Sequence, residues 1–218
     1  MMIRLVVVAV AVAALVASPA SAVLYEGMLS TEDGTLTGTD EWVTGLTTFT
    51  YAVDNVTTPG YWHYVYTLTI PTDTKYAANI QHLIIGVTSG LTMGDLKNVS
   101  GQLHKVELVE AKGDNANMPQ DLYAAVFQVG GEESFVTIRF DTTRAPVWGD
   151  FFARGDNQNS IWNIGFTADS VDPTTVPPDV CMGAFILRPD SIPEPTTMLT
   201  LLAGLAFTRV FRRRPRGV

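Results

Sequence analysis

Ten residues of the chain, YWHYVYTLTI at positions 61–70, alternate between two kinds of side chain. Trp62, Tyr64, Tyr66, Leu68 and Ile70 fall on one side of this alternation. Successive side chains of a β-strand point to opposite faces of the sheet, so a period of two predicts a strand with one face on a core. We therefore expect the tyrosine-rich face to be buried.

Short apolar runs of this kind recur along the chain. They lie at 41–53, 80–87, 102–109, 122–129, 134–140, 146–153, 161–166 and 183–188. Turn-forming residues separate them, as in Thr58-Pro59-Gly60 and Gly113-Asp114-Asn115. Between the two ends of the chain no clear amphipathic helix is found, although 118–126 could form a turn or two. The pattern predicts an all-β domain, specifically a β-sandwich, of which the jelly-roll is one form.

The first 22 residues have the pattern of a secretory signal peptide. A short positive start that includes Arg4 precedes the apolar run Leu5–Val16, and the small residues Ala20-Ser21-Ala22 follow. We expect cleavage after Ala22, with Ala20 and Ala22 as the recognised small residues. A retained membrane anchor is the alternative.

Residues 191–218 form a second segment of unusual composition. The thirteen residues from Thr196 to Thr208 precede Arg209, and as a helix they would span about 20 Å, less than the roughly 30 Å hydrocarbon layer of a bilayer. Counting on to Phe211 gives sixteen residues and a marginal span of about 24 Å. The arginines in and after this stretch would stay in the cytoplasm by the positive-inside rule. We expect the segment to halt an exported chain temporarily.

Pro193-Glu194-Pro195, the short apolar stretch and the arginine cluster resemble, in this order, the PEP-CTERM sorting signal of Gram-negative bacteria. In that class of proteins the signal is recognised by an exosortase, a membrane cysteine protease. The resemblance implies cleavage near Pro195, followed by release or attachment to the surface matrix. The residues to which it assigns sorting or processing are Pro193, Glu194, Pro195, Arg209, Arg212, Arg213 and Arg214. The alternative is an ordinary tail anchor with a chance Pro-Glu-Pro.

The residues between the two terminal segments are strongly acidic. The chain has 14 basic and 22 acidic residues, and six of the basic ones, Arg4 and five tail arginines, lie outside 23–195. Eight basic and 22 acidic residues remain there, a net charge of −14. Such a surface repels nucleic acid, so we expect no nucleic-acid partner.

Residues 23–190 are long enough for one domain with a sizeable core. A single cysteine, Cys181, excludes an intramolecular disulfide. The segment 23–190 also resembles, more loosely, an uncharacterised ectodomain of PEP-CTERM proteins, through "NIQHLIIGV", "APVWGDFFARGD" and "ILRPDSIPEP". That resemblance implies no activity.

Motifs for catalysis are weak. His63, His82 and His104 lie in separate predicted strands without zinc-ligand spacing, and His82 is expected to be an ordinary strand histidine. No Gly-x-Ser-x-Gly motif occurs. The pair Glu132-Glu133 follows two glycines and fits a solvated hairpin end better than a glycosidase acid and base. We predict a non-catalytic protein, with a glycoside hydrolase as a distant alternative.

Two groups of residues favour binding. Oxygen-bearing side chains at Asp150, Asp156, Asn157 and Asn159 could bind Ca²⁺, although ordinary turns have the same composition. We expect no other cofactor.

Trp148 and Trp162 adjoin polar turns and could stack on a polysaccharide from an exposed surface.

We expect an exported protein of the envelope surface or extracellular matrix, with an exosortase-type protease, transient membrane contact and exopolysaccharide as partners. A carbohydrate-binding module is the alternative function.

Overall fold

The computed structural model describes residues 22–71, 79–130, 133–155, 159–169, 171–173, 177 and 183–190. Regular structure in this part of the chain is almost entirely antiparallel β-strand. Helix is limited there to α1, Glu41–Thr44, and two 3₁₀ turns, Met93–Asp95 and Gly113–Asn115. The prediction of an all-β protein is confirmed.

Thirteen strands are seen within the described residues. In chain order they are β1 (Leu24–Ser30), β2 (Leu36–Gly38), β3 (Thr48–Asp54), β4 (Trp62–Thr69), β5 (Ile80–Gly86), β6 (Lys97–Ser100), β7 (Gln102–Val109), β8 (Leu122–Gln128), β9 (Phe135–Thr142), β10 (Pro146–Gly149), β11 (Phe151–Gly155), β12 (Ser160–Asn163) and β13 (Ile186–Pro189).

The strands form two larger sheets and one small one. Sheet A has the order β1-β3-β4-β9-β6, and sheet B has the order β2-β12-β11-β5-β8-β7. The third sheet pairs β10 with β13. Because strands adjacent in sequence often lie in different sheets, the chain crosses repeatedly between A and B.

Sheets A and B pack face to face around one core, a β-sandwich-like arrangement. Tyr64, Tyr66 and Leu68 of β4 are fully buried, as their alternation predicts. The ring of Phe49 in sheet A stacks on that of Phe151 in sheet B with centroids 3.9 Å apart. Aromatic and β-branched side chains fill this core because they suit the pleated inner faces.

A second, smaller apolar cluster lies on the outer face of sheet B. Ile84, Val126 and Phe152 belong to neighbouring strands and contribute to this cluster, together with Met118 from the β7–β8 connection. That connection therefore packs onto the outer face of sheet B, which becomes relevant to the site below.

Several predicted boundaries differ from the structure. The run at 41–53 begins with α1, whose Trp42 is fully buried, and only its second half is strand. The run at 146–153 is two strands in different sheets, β10 and β11, which meet at Asp150. Residues 118–126 do not form helix, because 122–126 belong to β8. The strands β1, β2 and β6 had not been predicted.

Candidate functional site

The residues of the predicted sorting signal, 193–195 and the arginines from 209 on, lie outside the described residues, as does Ala20. Ala22 is described and exposed. Within the described residues no helix is long and apolar enough to cross a membrane.

Trp148 is not the exposed residue that the sequence predicted. It lies in β10 opposite Leu187 and only 4% of it is exposed, because it packs within the main core. Its indole borders a cavity of about 270 Å³ whose wall includes Tyr25 and Tyr51. The prediction of an exposed ring at this position is therefore wrong.

Trp162 lies on the outer face of sheet B and is partly buried. Its ring stacks on Phe152 with centroids 6.0 Å apart and an interplanar angle of 25°. One face of the Trp162 ring therefore packs against Phe152. Since Trp148 belongs to the inner core and Trp162 to the outer cluster, the two rings do not form a shared platform for a sugar.

Two residues of the predicted calcium site lie far apart. In the β11–β12 hairpin Ala153 pairs with Ile161, and the amide of Gly155 donates to the carbonyl of Asn159. Asp150 precedes Gly155 by five positions along β11, which corresponds to roughly 16 Å of strand. Asp150 and Asn159 cannot ligate one ion, so the predicted set of four is wrong as a single site.

The rest of that calcium prediction stays open. Asp156 and Asn157 lie outside the described residues. Among the residues that are described, no three His, Cys, Asp or Glu side chains are grouped as metal ligands would be.

Asp150 instead belongs to a buried polar cluster where β10 meets β11. Its Oδ1 accepts a hydrogen bond of 2.6 Å from Nδ2 of Asn163. Asp172 faces it and is paired with Arg188. Burial raises the pKa of Asp150 to about 7, the hydrogen bond from Asn163 opposes this rise, and the like charge of Asp172 adds to it. The arrangement connects the start of β11 with β12 and β13.

A second polar cluster lies on the outer face of sheet A. Oδ1 of Asp141 is 2.5 Å from Nδ1 of His63, and its Oδ2 accepts hydrogen bonds from Asn98 at 2.5 Å and Thr58 at 2.9 Å. Burial alone would raise the pKa of Asp141, but these hydrogen bonds lower it overall. Asn98 adopts a left-handed backbone with φ of 48°. The cluster fastens the β3–β4 loop and β6 to β4 and β9.

The arrangement best suited to bind a ligand is a cleft on the outer face of sheet B. Arg154 of β11 is directly opposite His82 of β5, and His82 is directly opposite Gln128 of β8. Directly opposite residues share a face of the sheet with Cβ atoms about 5 Å apart. The three polar side chains thus form a row, and His104 and Lys105 of β7 lie at one end of the cleft.

The floor and the remaining wall of this cleft come from the outer apolar cluster and the β7–β8 connection. Ile84 and Val126 form part of the floor, while Asp114 and Asn115 of the second 3₁₀ turn form a wall. The cavity measures about 150 Å³. We refer to it as the outer cleft.

The outer cleft gathers cationic groups in a protein that is acidic elsewhere. The guanidinium of Arg154 donates to the carbonyl of Asp114 at 2.5 Å and to Oε1 of Gln81 at 2.8 Å. The pKa of His82 is lowered, first by burial and then by the positive charge of Arg154. His82 is therefore a polar residue of the cleft rather than part of the packing within the main core.

Sequence reasoning missed the outer cleft because it compared histidine spacing only with metal motifs. His82 and His104 come together through the strand order β5-β8-β7, which local periodicity does not encode. A β-bulge between Leu103 and Lys105 makes His104 the extra residue of its strand. The signal available in the sequence was the concentration of basic and imidazole groups in 82–105 and 154.

Comparison with known proteins gives no match, since no family model, no curated protein and no solved structure is significantly similar to the chain.

Proposed function

We propose that the chain is an exported, non-catalytic β-sandwich protein of the envelope surface or extracellular matrix of a Gram-negative bacterium, sorted by an exosortase-type system. Residues 1–22 would be its signal peptide, 23–190 its domain and 191–218 its sorting signal. The repeated crossing of the chain between sheets A and B supports a jelly-roll-like variant of the sandwich.

The observation that carries this proposal is the order of three features in one segment. Pro193-Glu194-Pro195 is followed by the mostly apolar stretch 199–211, which contains Arg209, and then by further clustered arginines. Two prolines keep the first part extended and without amide donors, which suits the cleft of a protease. The short apolar stretch would stop export, and Arg209, Arg212, Arg213 and Arg214 would hold the end in the cytoplasm. Cleavage near Pro195 would then free the body into a matrix that contains exopolysaccharide.

Intact-mass spectrometry of the secreted protein tests the proposal. The full gene is expressed in a bacterium that has an exosortase-type protease, and protein is recovered from the medium and the cell surface. We expect a mass that lacks both 1–22 and the residues after about 195. A secreted protein that keeps its arginine tail would refute the processing step.

Two variants sharpen this experiment. Replacing Pro193 and Pro195 together by Ala should leave the tail attached and the protein in the membrane fraction. The charge variant changes Arg212, Arg213 and Arg214 to Gln and leaves the apolar stretch intact. It should weaken retention in the membrane before cleavage. An unchanged mass and location in both variants would contradict the assigned roles.

The outer cleft favours a second candidate function, carbohydrate binding. Its side chains combine an amide, imidazoles and a guanidinium around an apolar floor, and groups of these types hydrogen-bond to sugar hydroxyls. Binding of a neutral or acidic oligosaccharide by the full-length protein would test this function directly.

A further inference from the structure

We propose that the outer cleft binds a small carboxylate-bearing ligand with neighbouring hydroxyl groups, of the uronic acid class. This inference specifies the second candidate function and does not depend on the sorting route. It rests on the charge, the donor geometry and the size of the cleft.

The charge of the cleft favours an anion. Eight basic residues are spread over 23–195, and two of them, Lys105 and Arg154, line this one cavity together with His82 and His104. In a body with a net charge of −14 this grouping of cations is unusual, although Asp114 and Glu107 pair with Arg154 and Lys105 in the free protein. A negatively charged ligand that displaces these acids would meet two cations here and a mostly acidic surface elsewhere.

The acids that now balance these cations are exposed and replaceable. Arg154 is 3.4 Å from Oδ1 of Asp114, whose side chain is 90% exposed, and Lys105 is 2.6 Å from Oε1 of Glu107, whose side chain is 54% exposed. Exposed ion pairs contribute little to stability. The side chain of Arg154 is only 15% exposed, but its hydrogen bonds to the carbonyl of Asp114 and to Gln81 do not involve the Asp114 carboxylate, so a ligand carboxylate can take the place of either acid.

The uncharged polar groups favour a sugar over a simple ion. Gln128 lies beside His82 in the polar row, and Asn115 also lines the cleft. Amides both donate and accept hydrogen bonds, as hydroxyl groups require, whereas a simple anion uses donors only. The apolar floor at Ile84 and Val126 is small, since these residues are only 1% and 3% exposed, so hydrogen bonds would dominate the recognition of a sugar.

The size of the cleft limits what it can hold. Its 150 Å³ is below the roughly 300 Å³ at which pockets for drug-sized ligands begin. The cleft thus accommodates one charged sugar unit, while the rest of an oligosaccharide would lie on the surface of sheet B.

Titration calorimetry on the full-length protein in a mild detergent tests this proposal with trigalacturonic acid. Galactotriose is the matched neutral probe, because its rings carry a hydroxymethyl group in place of the carboxylate, and sodium sulfate is the probe for simple anions. We expect measurable binding of trigalacturonic acid and at least roughly tenfold weaker binding of the other two, as for a charge-assisted hydrogen bond. Equal binding of galactotriose would overturn the charge assignment, and equal binding of sulfate would overturn the sugar assignment.

Four variants locate the binding. Arg154→Gln and Lys105→Gln should each weaken it, whereas Asp114→Asn should strengthen it roughly two- to fivefold by removing a competing carboxylate. A variant that merely damaged the fold would not bind more tightly, so the gain separates recognition from structure. Arg139→Gln removes the same charge from the exposed outer face of sheet A and should have no effect. If Arg139→Gln and Arg154→Gln weakened binding equally, or if Asp114→Asn did not strengthen it, the cleft would not be the site.

Discussion

The rings of Phe49 and Phe151 stack across the core with centroids 3.9 Å apart and planes inclined by 18°, and neither residue is exposed to solvent. Phe49 belongs to sheet A and Phe151 to sheet B, so this pair joins the two sheets across the core.

Phe151→Ala should lower the free energy of unfolding by about 3–5 kcal/mol, because it removes buried apolar surface and leaves a cavity. Urea denaturation of the full-length protein, followed by tryptophan fluorescence, measures the change. Phe135→Ala is the matched control, since Phe135 is 57% exposed, and its effect should stay within about 0.5 kcal/mol. Similar losses in both variants would argue against the stacked pair as a main contact between the sheets.

The buried carboxyl of Asp150 should make stability fall as pH rises. Burial raises its pKa to about 7 in the folded protein, whereas an unfolded aspartate has a pKa of about 3.9. Between these values the folded state holds a proton that the unfolded state has released. The free energy of unfolding should therefore decrease by roughly 1.4 kcal/mol for each pH unit from about pH 4 to pH 7, and no further above that.

Asp150→Asn tests this slope, because an amide keeps an acceptor for Asn163 but cannot titrate. Its unfolding free energy should lack the decrease with pH that Asp150 gives the parent protein over about pH 5–7. Asp169→Asn changes an exposed residue in the same way and should keep the parent slope. Parallel slopes for all three proteins would show that Asp150 does not titrate as assigned.

Asp141 should make stability fall as pH decreases, which is the opposite of the effect expected for Asp150. Burial opposes ionisation of this carboxyl, but the hydrogen bonds from Asn98, His63 and Thr58 hold its pKa below the ordinary value. The stability that this carboxylate contributes is fully present above about pH 4, the pKa of an aspartate in an unfolded chain. It is lost as pH falls through the lower pKa that Asp141 has in the folded protein.

Asp141→Asn should be less stable than the parent protein at about pH 7 by about 1.5–3 kcal/mol, the scale of hydrogen bonds to a charged group. The difference between the two proteins should shrink as pH falls below about 4 towards about pH 2, because the parent carboxyl then progressively takes up a proton. Thermal unfolding followed by circular dichroism at the two pH values provides the measurement. A difference that is the same at both would exclude the charged form of Asp141 as its source.

Binding of trigalacturonic acid to the outer cleft should strengthen as pH falls through the pKa of His82, which lies below the ordinary histidine value of about 6.5. Burial and then Arg154 lower the pKa of His82, and His104 and Lys105 also lower it, whereas Asp114 raises it. Protonation of His82 adds a positive charge next to the ligand carboxylate, so affinity and proton uptake are linked. His82→Gln should remove most of this pH dependence while keeping binding at about pH 8, and calorimetry over about pH 5–8 would reveal it. An unaltered pH profile in His82→Gln would place the titrating group elsewhere.

Local alternation predicted the inner face of β4 and the position of most strands, because side-chain period depends on neighbouring residues alone. It did not predict α1, since Trp42 is buried by contacts with distant strands rather than by a local pattern. The short strand β2 also lacks a clear pattern, and it forms because β12 pairs with it. The short elements α1 and β2 therefore form through contacts with distant parts of the chain, which a local pattern does not reveal.

The candidate site was less accessible to sequence reasoning. Trp148 adjoins a polar turn in sequence, yet β10 pairs with β13 and directs its ring into the core. Arg154, His82 and Gln128 are far apart in sequence and become neighbours through the order β11-β5-β8. Sheet order is set by the packing of the whole domain, which explains why the outer cleft was not foreseen.

The antiparallel pairing of β13 with β10 also determines how the sandwich would resist a mechanical load. Near the last described residues, the amide of Asp190 donates to the carbonyl of Ala145, and the hydroxyl of Tyr66 donates to the carbonyl of Leu187 at 2.8 Å. A pull on residue 190 along the axis of β13 would strain these bonds and the β10–β13 ladder in shear, so several would have to break at once. A tether at this point that pulled along β13 would thus transmit tension into the sheets instead of peeling this strand away.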